Sequence, residues 1–211
     1  MTAGGCTSSH SVPLCLEALR LFCREHFSSH LWGGGGGSFR QSAVLILLYP
    51  DGDRLRIVML ARPNTLRRHP GQVAFPGGAR EAADLTPVAT ALREASEEIG
   101  LDPKSVDVIG LLPREFAYTS DFFIVPVVAF YPHPGGPSFR ADPIEVEEIL
   151  APALDELHLF PELKWHGGET LQVLYPVFPV ERHRLWGASA RITLKLLRLL
   201  DSLGRGLTWP S

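Results

Sequence analysis

The chain has 211 residues, a hydrophobic fraction of 45% and a formal net charge of −3, from 20 Lys and Arg against 23 Asp and Glu. That length suffices for one large domain or two small ones with a real core, and the near-neutral balance excludes a global basic field of the kind that holds nucleic acid non-specifically. The longest apolar run, AVLILLY from Ala43 to Tyr49, is far too short to cross a bilayer, and Cys6, Cys15 and Cys23 have neither disulfide nor zinc spacing.

From Val12 to Phe27, Leu14, Leu16, Leu19, Leu21, Phe22 and Phe27 are spaced as one helical face opposite Glu17, Arg20, Arg24 and Glu25, which predicts a peripheral amphipathic helix. The glycine run 33–37 follows as a linker, so residues 1–40 form an N-terminal extension and residues 41–204 the main domain, with 205–211 as a tail. QSAVLILLY predicts a buried strand, Asp51-Gly52 a hairpin turn, and RLRIVMLAR the returning strand. After the basic stretch TLRRHPG, QVAFPGG reads as a short strand entering a Gly-Gly turn. Pro87 to Ile99 predicts a helix with Val88, Leu92, Ala95 and Ile99 on one face and Gly100 as its C-cap. VDVIGLLP and DFFIVPVVAFY are further strands, the second placed at an edge or bulge by Pro126. PHPGGPS is a surface loop, IEVEEILAPALDEL a short strand and helical turn, LQVLYPVFPV another strand, and LWGASARITLKLLRLLDSLG a closing helix anchored by Trp186. Strands and helices mix without strict alternation, so the fold class is α+β. Phe116, Tyr118, Phe122 and Phe123 could stack on a base, but most of them are assigned to the core, where strand aromatics more often lie. The N-terminus lacks a secretory or mitochondrial signal and TWPS is no peroxisomal address, so the cytoplasm is the expected compartment, with mitochondrion and peroxisome left open.

The stretch REASEEIGL concentrates negative charge where a helix C-terminus already carries a negative partial charge. At 3.6 residues per turn Glu94 and Glu98 stack, with Glu97 beside them, so three carboxylates are expected to converge. With Leu92 and Ile99 marking the buried direction, Glu98 flanks the apolar stripe and Glu97 points furthest from it. A hard divalent cation turns this repulsion into affinity, because it takes oxygen ligands and is attracted by every acid. The alternative is a solvated acidic face with Arg93 paired to Glu97.

Upstream stand Gly78, closing FPGG, and Asp84. Together with Arg93-Glu94-Ala95, Glu97-Glu98, Gly100 and Leu101 they resemble the box of the Nudix hydrolases, with Asp84 at the first Glu position and a gap one residue longer before Arg93. Arg62, Arg67, Gly71 and FPGG further resemble the signature of the coenzyme A pyrophosphatase branch, with Leu60 and Pro63 in place of its Thr and Ser. The resemblance covers roughly residues 41 to 200 and implies a Nudix fold, an α/β/α sandwich around a mixed sheet with the box as strand, loop and helix. It also implies Mg²⁺- or Mn²⁺-dependent hydrolysis of a nucleoside diphosphate derivative, for coenzyme A yielding 3′,5′-ADP and 4′-phosphopantetheine.

On that reading Glu94 and Glu98 are metal ligands, Glu97 shares or bridges a second ion, and the Gly78 carbonyl contributes. Arg93 holds a glutamate by a charge-assisted bond. The general base is left among Glu94, Glu145 and Glu148, with Glu148 the catalytic candidate from the second acidic segment. Arg62, Arg67 and Arg68, with Gly77 and Gly78, are the substrate-binding candidates, because arginine's planar fork suits phosphate. His69 beside them is weighted toward a structural role. The expected partner is a small molecule, with no nucleic acid and no membrane, and a homodimer stays open. Other nucleoside diphosphate derivatives, such as ADP-ribose, NADH or a nucleotide sugar, and a non-catalytic binding module remain as alternatives.

Overall fold

The computed structural model describes residues 17, 19–24, 32, 39–63, 71–117, 121–157, 162–167 and 172–203. The glycine run 33–37, Arg67, Arg68, His69, Tyr118, the remainder of the first predicted helix and the tail 205–211 lie outside them. Residues 19–24 form a helical turn, α1. The strands in chain order are β1 (Arg40–Asp51), β2 (Arg54–Ile57), β3 (Met59–Ala61), β4 (Val73–Ala74), β5 (Gly77–Ala79), β6 (Asp107–Leu111), β7 (Glu115–Ala117), β8 (Phe122–Phe130), β9 (Glu148–Leu150), β10 (Glu162–Gly167), β11 (Gln172–Val180) and β12 (His183–Leu185). The helices α2 (Pro87–Ile99) and α3 (Gly187–Ser202) complete the set.

β1 is apolar on both sides because each side has its own core. Ala43, Leu45, Leu47 and Tyr49 pack with Ala91, Ala95 and Ile99 of α2, while Ile46 and Leu48 pack with Leu19 and Cys23 of α1 and with Ile192, Leu196 and Leu197 of α3. β1 pairs parallel with β8 and antiparallel with β2 and β5, and β8 pairs antiparallel with β6 and β7. The result is a six-stranded mixed sheet between α2 on one face and α1 with α3 on the other, an α+β sandwich as the sequence implied. Two three-stranded sheets, β4-β3-β9 and β10-β11-β12, extend it.

Three local expectations change. RLRIVMLAR is not one strand: it breaks at Val58, β2 staying with β1 while β3 joins β4 and β9. Gly77-Gly78 is not a turn but the start of β5, paired with Val44 and Ala43 of β1. Pro126 lies neither at an edge nor at the register shift of β6, which is opposite Ala129 and Val128, but in a central strand. It is tolerated because its carbonyl accepts from Leu112 N, which directs the missing N–H to the same side, at the gap where the partner changes from β6 to β7. β10 was not foreseen. The aromatic residues Phe39, Phe116 and Phe123 form a cluster with centroids 5.1–5.3 Å apart in which Phe39 is 48% exposed, so it is a surface cluster and not core.

α1 is held against β6 by the buried Leu19 and Cys23 and by an Arg20–Asp107 ion pair. A Cβ at Gly110 would collide with the Cys23 side chain, whose Sγ would stand 3.1 Å from it. Gly110→Ala is therefore expected to cost about 1–3 kcal/mol in urea unfolding, the usual range for overpacking.

β7 is tied to α3 by Glu115, which accepts from Arg191 Nε at 2.8 Å and pairs with Lys195 Nζ at 2.6 Å. Burial opposes ionisation of Glu115, but these two cations overcome it and hold its carboxyl below the usual glutamate range. The stabilisation is fully present above that usual range and is lost as pH falls through the lowered pKa. Glu115→Gln should thus cost about 1–3 kcal/mol at neutral pH, and the gap between variant and parent in chemical denaturation should close on acidification.

Candidate active site

α2 is cut to length by its caps. Thr86 Oγ1 accepts from Ala89 N at 3.1 Å, Pro87 occupies the first helical position, and Gly100 takes the left-handed conformation with φ 66°. The last carbonyls, which the glutamates would otherwise oppose, accept N–H groups from the loop between β8 and β9. Arg140 N bonds Ile99 O at 2.9 Å and Asp142 N bonds Glu98 O at 2.8 Å. The same loop turns on Asp142, whose carboxylate accepts from Ile144 N and Glu145 N, and so delivers Glu145 beside the helix.

Glu98 is 3% exposed and accepts from Gly77 N at 2.9 Å. Arg62 places one guanidinium nitrogen 3.7 Å from Glu98 and another 3.9 Å from Glu145. Burial pushes the Glu98 carboxyl up to about 8 against the pull of the Gly77 N–H and Arg62, and the charges of Glu94 and Glu145 add to the rise. Glu94 is raised by burial too, with Arg93 opposing. Its carboxylate lies where a side chain at Gly78 would begin: a Cβ there would stand 2.5 Å from Glu94 Cδ and 2.6 Å from Oε2. Gly77 faces β1 as closely, its Cβ position lying 2.6 Å from Val44 Cα. Glycine at both positions lets the helix and the strand approach.

Arg93 is the hub of a second network. It pairs with Asp84 and Glu94 at 3.0 Å through Nη2 and with Glu97 at 3.0 Å through Nη1, and donates to Ala79 O. Asp84, 4% exposed, also accepts from Thr90 Oγ1 at 2.9 Å and Glu81 N at 3.0 Å. The Arg93 hydrogen bond is the chief reason its carboxyl sits below the usual range. Arg93 is therefore fully engaged in holding Asp84, Glu94 and Glu97.

The predicted residues thus divide. Glu94, Glu98, Gly77, Gly78, Arg62 and Arg93 come together, while Glu97 turns outward to Arg93 with 59% of its side chain exposed. Consequently the three glutamates do not converge on one point, and among the described residues no group of three Asp, Glu, His or Cys is placed to hold a metal ion. Two carboxylates and the Gly78 carbonyl still suit Mg²⁺ or Mn²⁺, because such ions take hard oxygen donors and complete their shell with water and substrate phosphate. Glu148 is not brought here. It pairs with Ala61, whose side chain faces the α3 core, and it contacts His183 at 2.8 Å and Arg182 at 2.7 Å. Strand parity sends Arg62 the other way. Sequence reasoning missed Arg80 and Glu81, whose only signal was their place in the loop before α2, and Thr90, which stands one turn before Arg93 in that helix.

The NUDIX domain family model matches residues 39–174. The mouse "Peroxisomal coenzyme A diphosphatase NUDT7" is 40% identical over 56% of this chain and 49% of its own length. The Arabidopsis thaliana "Nudix hydrolase 22, chloroplastic" is 37% identical over 74% of this chain and 54% of its own length. The chain thus spans about half the length of these two relatives. The Nudix hydrolase NudL of Salmonella paratyphi B is 37% identical over 74% of this chain and 81% of its own. Among solved structures, a MutT/nudix family protein from Enterococcus faecalis aligns with a TM-score of 0.51 at 14% identity, covering 95% of this chain and 76% of that one, a likeness of fold alone.

Because Gly78 needs no positive φ and its added Cβ would meet only the end of the flexible Glu94, Gly78→Ala should leave the unfolding free energy within about 1 kcal/mol. It should nevertheless weaken Mn²⁺ binding, followed by calorimetric titration, about tenfold or more.

Proposed function

The chain belongs to the NUDIX domain family, and from that premise we propose that it hydrolyses the diphosphate of coenzyme A or an acyl-coenzyme A to 3′,5′-ADP and (acyl-)4′-phosphopantetheine. The observation that carries the reading is the seating of Glu94 and Glu98 on Gly78 and Gly77 with Arg62 alongside. It is supported by the similarity to the mouse coenzyme A diphosphatase. The position where the coenzyme A signature carries Thr is Leu60, 2% exposed within the α2-side core, so that departure alters packing rather than a substrate contact.

Glu94, Glu98 and the Gly78 carbonyl would hold Mg²⁺ or Mn²⁺, which would neutralise diphosphate oxygens and make water more acidic. Arg93 keeps Glu94 in place from the side away from the substrate. Arg62, released from its long contacts with Glu98 and Glu145, binds a diphosphate oxygen. Arg67 and Arg68 take the 3′-phosphate. Glu145 is the general base: it accepts a proton from the attacking water as the new P–O bond forms and the bridging P–O bond breaks. Its place beside Arg62 favours it over Glu148, which is engaged on the opposite face.

The protein should be incubated with Mg²⁺ or Mn²⁺ and coenzyme A, dephospho-coenzyme A, NADH or ADP-ribose, with products identified by mass. Coenzyme A should yield 3′,5′-ADP, Glu98→Gln should abolish turnover, and Glu145→Gln should lower kcat about 10²-fold or more. Preference for dephospho-coenzyme A would remove the role given to Arg67 and Arg68. Tight ligand binding without turnover of any substrate would replace the enzyme with a binding module.

A further inference from the structure

Trp32 lies outside the segment that matches the NUDIX model, which begins at residue 39, yet its side chain reaches the loop that carries Asp84. Its indole Nε1–H donates to the Asp84 carbonyl at 3.1 Å, and Arg80 Nε donates to the same oxygen at 3.1 Å. The Arg80 guanidinium lies over the Trp32 ring, 5.3 Å from its centroid, and its Nη1 donates to Gln41 Oε1 of β1 at 2.7 Å. The Trp32 ring itself packs, half-buried, against the α2-side core.

One carbonyl therefore receives two donors, and each donor is fixed elsewhere: the indole by the core and Arg80 by β1. That carbonyl belongs to the residue whose carboxylate holds Arg93. Aspartate is one methylene shorter than glutamate, so the Asp84 backbone must stand close to Arg93 for its carboxylate to reach at 3.0 Å, and the two donors keep it there. Arg93 in turn holds Glu94 against Gly78.

We propose that Trp32 is a positioning residue of the candidate metal site, clamping the Asp84 carbonyl and, through Asp84 and Arg93, fixing the Glu94 carboxylate. Trp32, seven residues before the matched segment, is then part of the site's framework. The metal half of this assignment rests on the function proposed above.

The test uses the full chain with Trp32→Phe, which keeps a ring for Arg80 and the core but has no N–H, and with Trp32→Ala, which removes both. The first readout is amide hydrogen exchange at Glu81, whose N–H donates to Asp84 Oδ2. The second is titration with Mn²⁺ alone, without substrate. Trp32→Phe should speed exchange at Glu81 and weaken Mn²⁺ binding about threefold or more, with the melting temperature within about 3 °C of the parent. In turnover it should lower kcat and leave KM in place. Unchanged exchange at Glu81 in both variants overturns the clamp. Unchanged Mn²⁺ affinity beside a parent that binds Mn²⁺ overturns its link to the metal and leaves Trp32 as a core anchor. If the parent itself binds no Mn²⁺, the proposed function falls, and the exchange measurement still decides the clamp.

Discussion

A carboxylate in the last turn of a helix, 3% exposed and facing other acids, must be compensated, and at Glu98 the protein supplies one backbone N–H and one distant guanidinium. That shortage organises its surroundings. The N–H comes from Gly77, which has no room for a side chain against β1, while Gly78 beside it leaves its Cβ space to the Glu94 carboxylate, so β5 begins with two glycines. The helix carbonyls beneath the acids are satisfied by Arg140 and Asp142, and the loop that does this carries Glu145. Arg93, which a solvated acidic face would leave in water, is instead drawn into a network that fixes Asp84, Glu94 and Glu97. Acidic charge at the C-terminal end of a helix is thereby accommodated by neighbours recruited from three other segments.

The parts of the fold legible in the sequence are those set by local chemistry. Thr86-Pro87 and Gly100 bracket α2 because capping depends on a few adjacent residues, and the apolar run of β1 announces a strand covered on both faces. What was misread depends on partners. Gly-Gly signals a turn until another strand comes within contact distance, and Pro126 signals an edge until its neighbour changes strands opposite it. The division of RLRIVMLAR at Val58 has no local signal, since no Gly or Pro interrupts the segment and Val58 is itself a good strand former.

The candidate site divides along the same line. Helical periodicity alone ranked Glu98 as innermost and Glu97 as outermost, matching side-chain exposures of 3% and 59%. The choice between Glu145 and Glu148 could not be made from sequence, because it turns on the register of β9 against β3 and on which face each strand residue presents. Asp84 was visible as a box position, but its hold on Arg93, and the clamp on its carbonyl by Arg80 and Trp32, join residues as far as 52 positions apart.

The parallel pairing of β1 with β8 joins residues 40–48 to 122–130. During synthesis, the central strand β1 emerges about eighty residues before the neighbour that closes its second edge. β2 and β5 can cover parts of one edge soon after, while the other stays open to any strand it meets. Loop-closure entropy must then be overcome before that pairing returns any stabilisation, so the central pair of the sheet is a late and slow event in folding. The strand at the heart of the finished domain is thus among the last to gain its full set of partners.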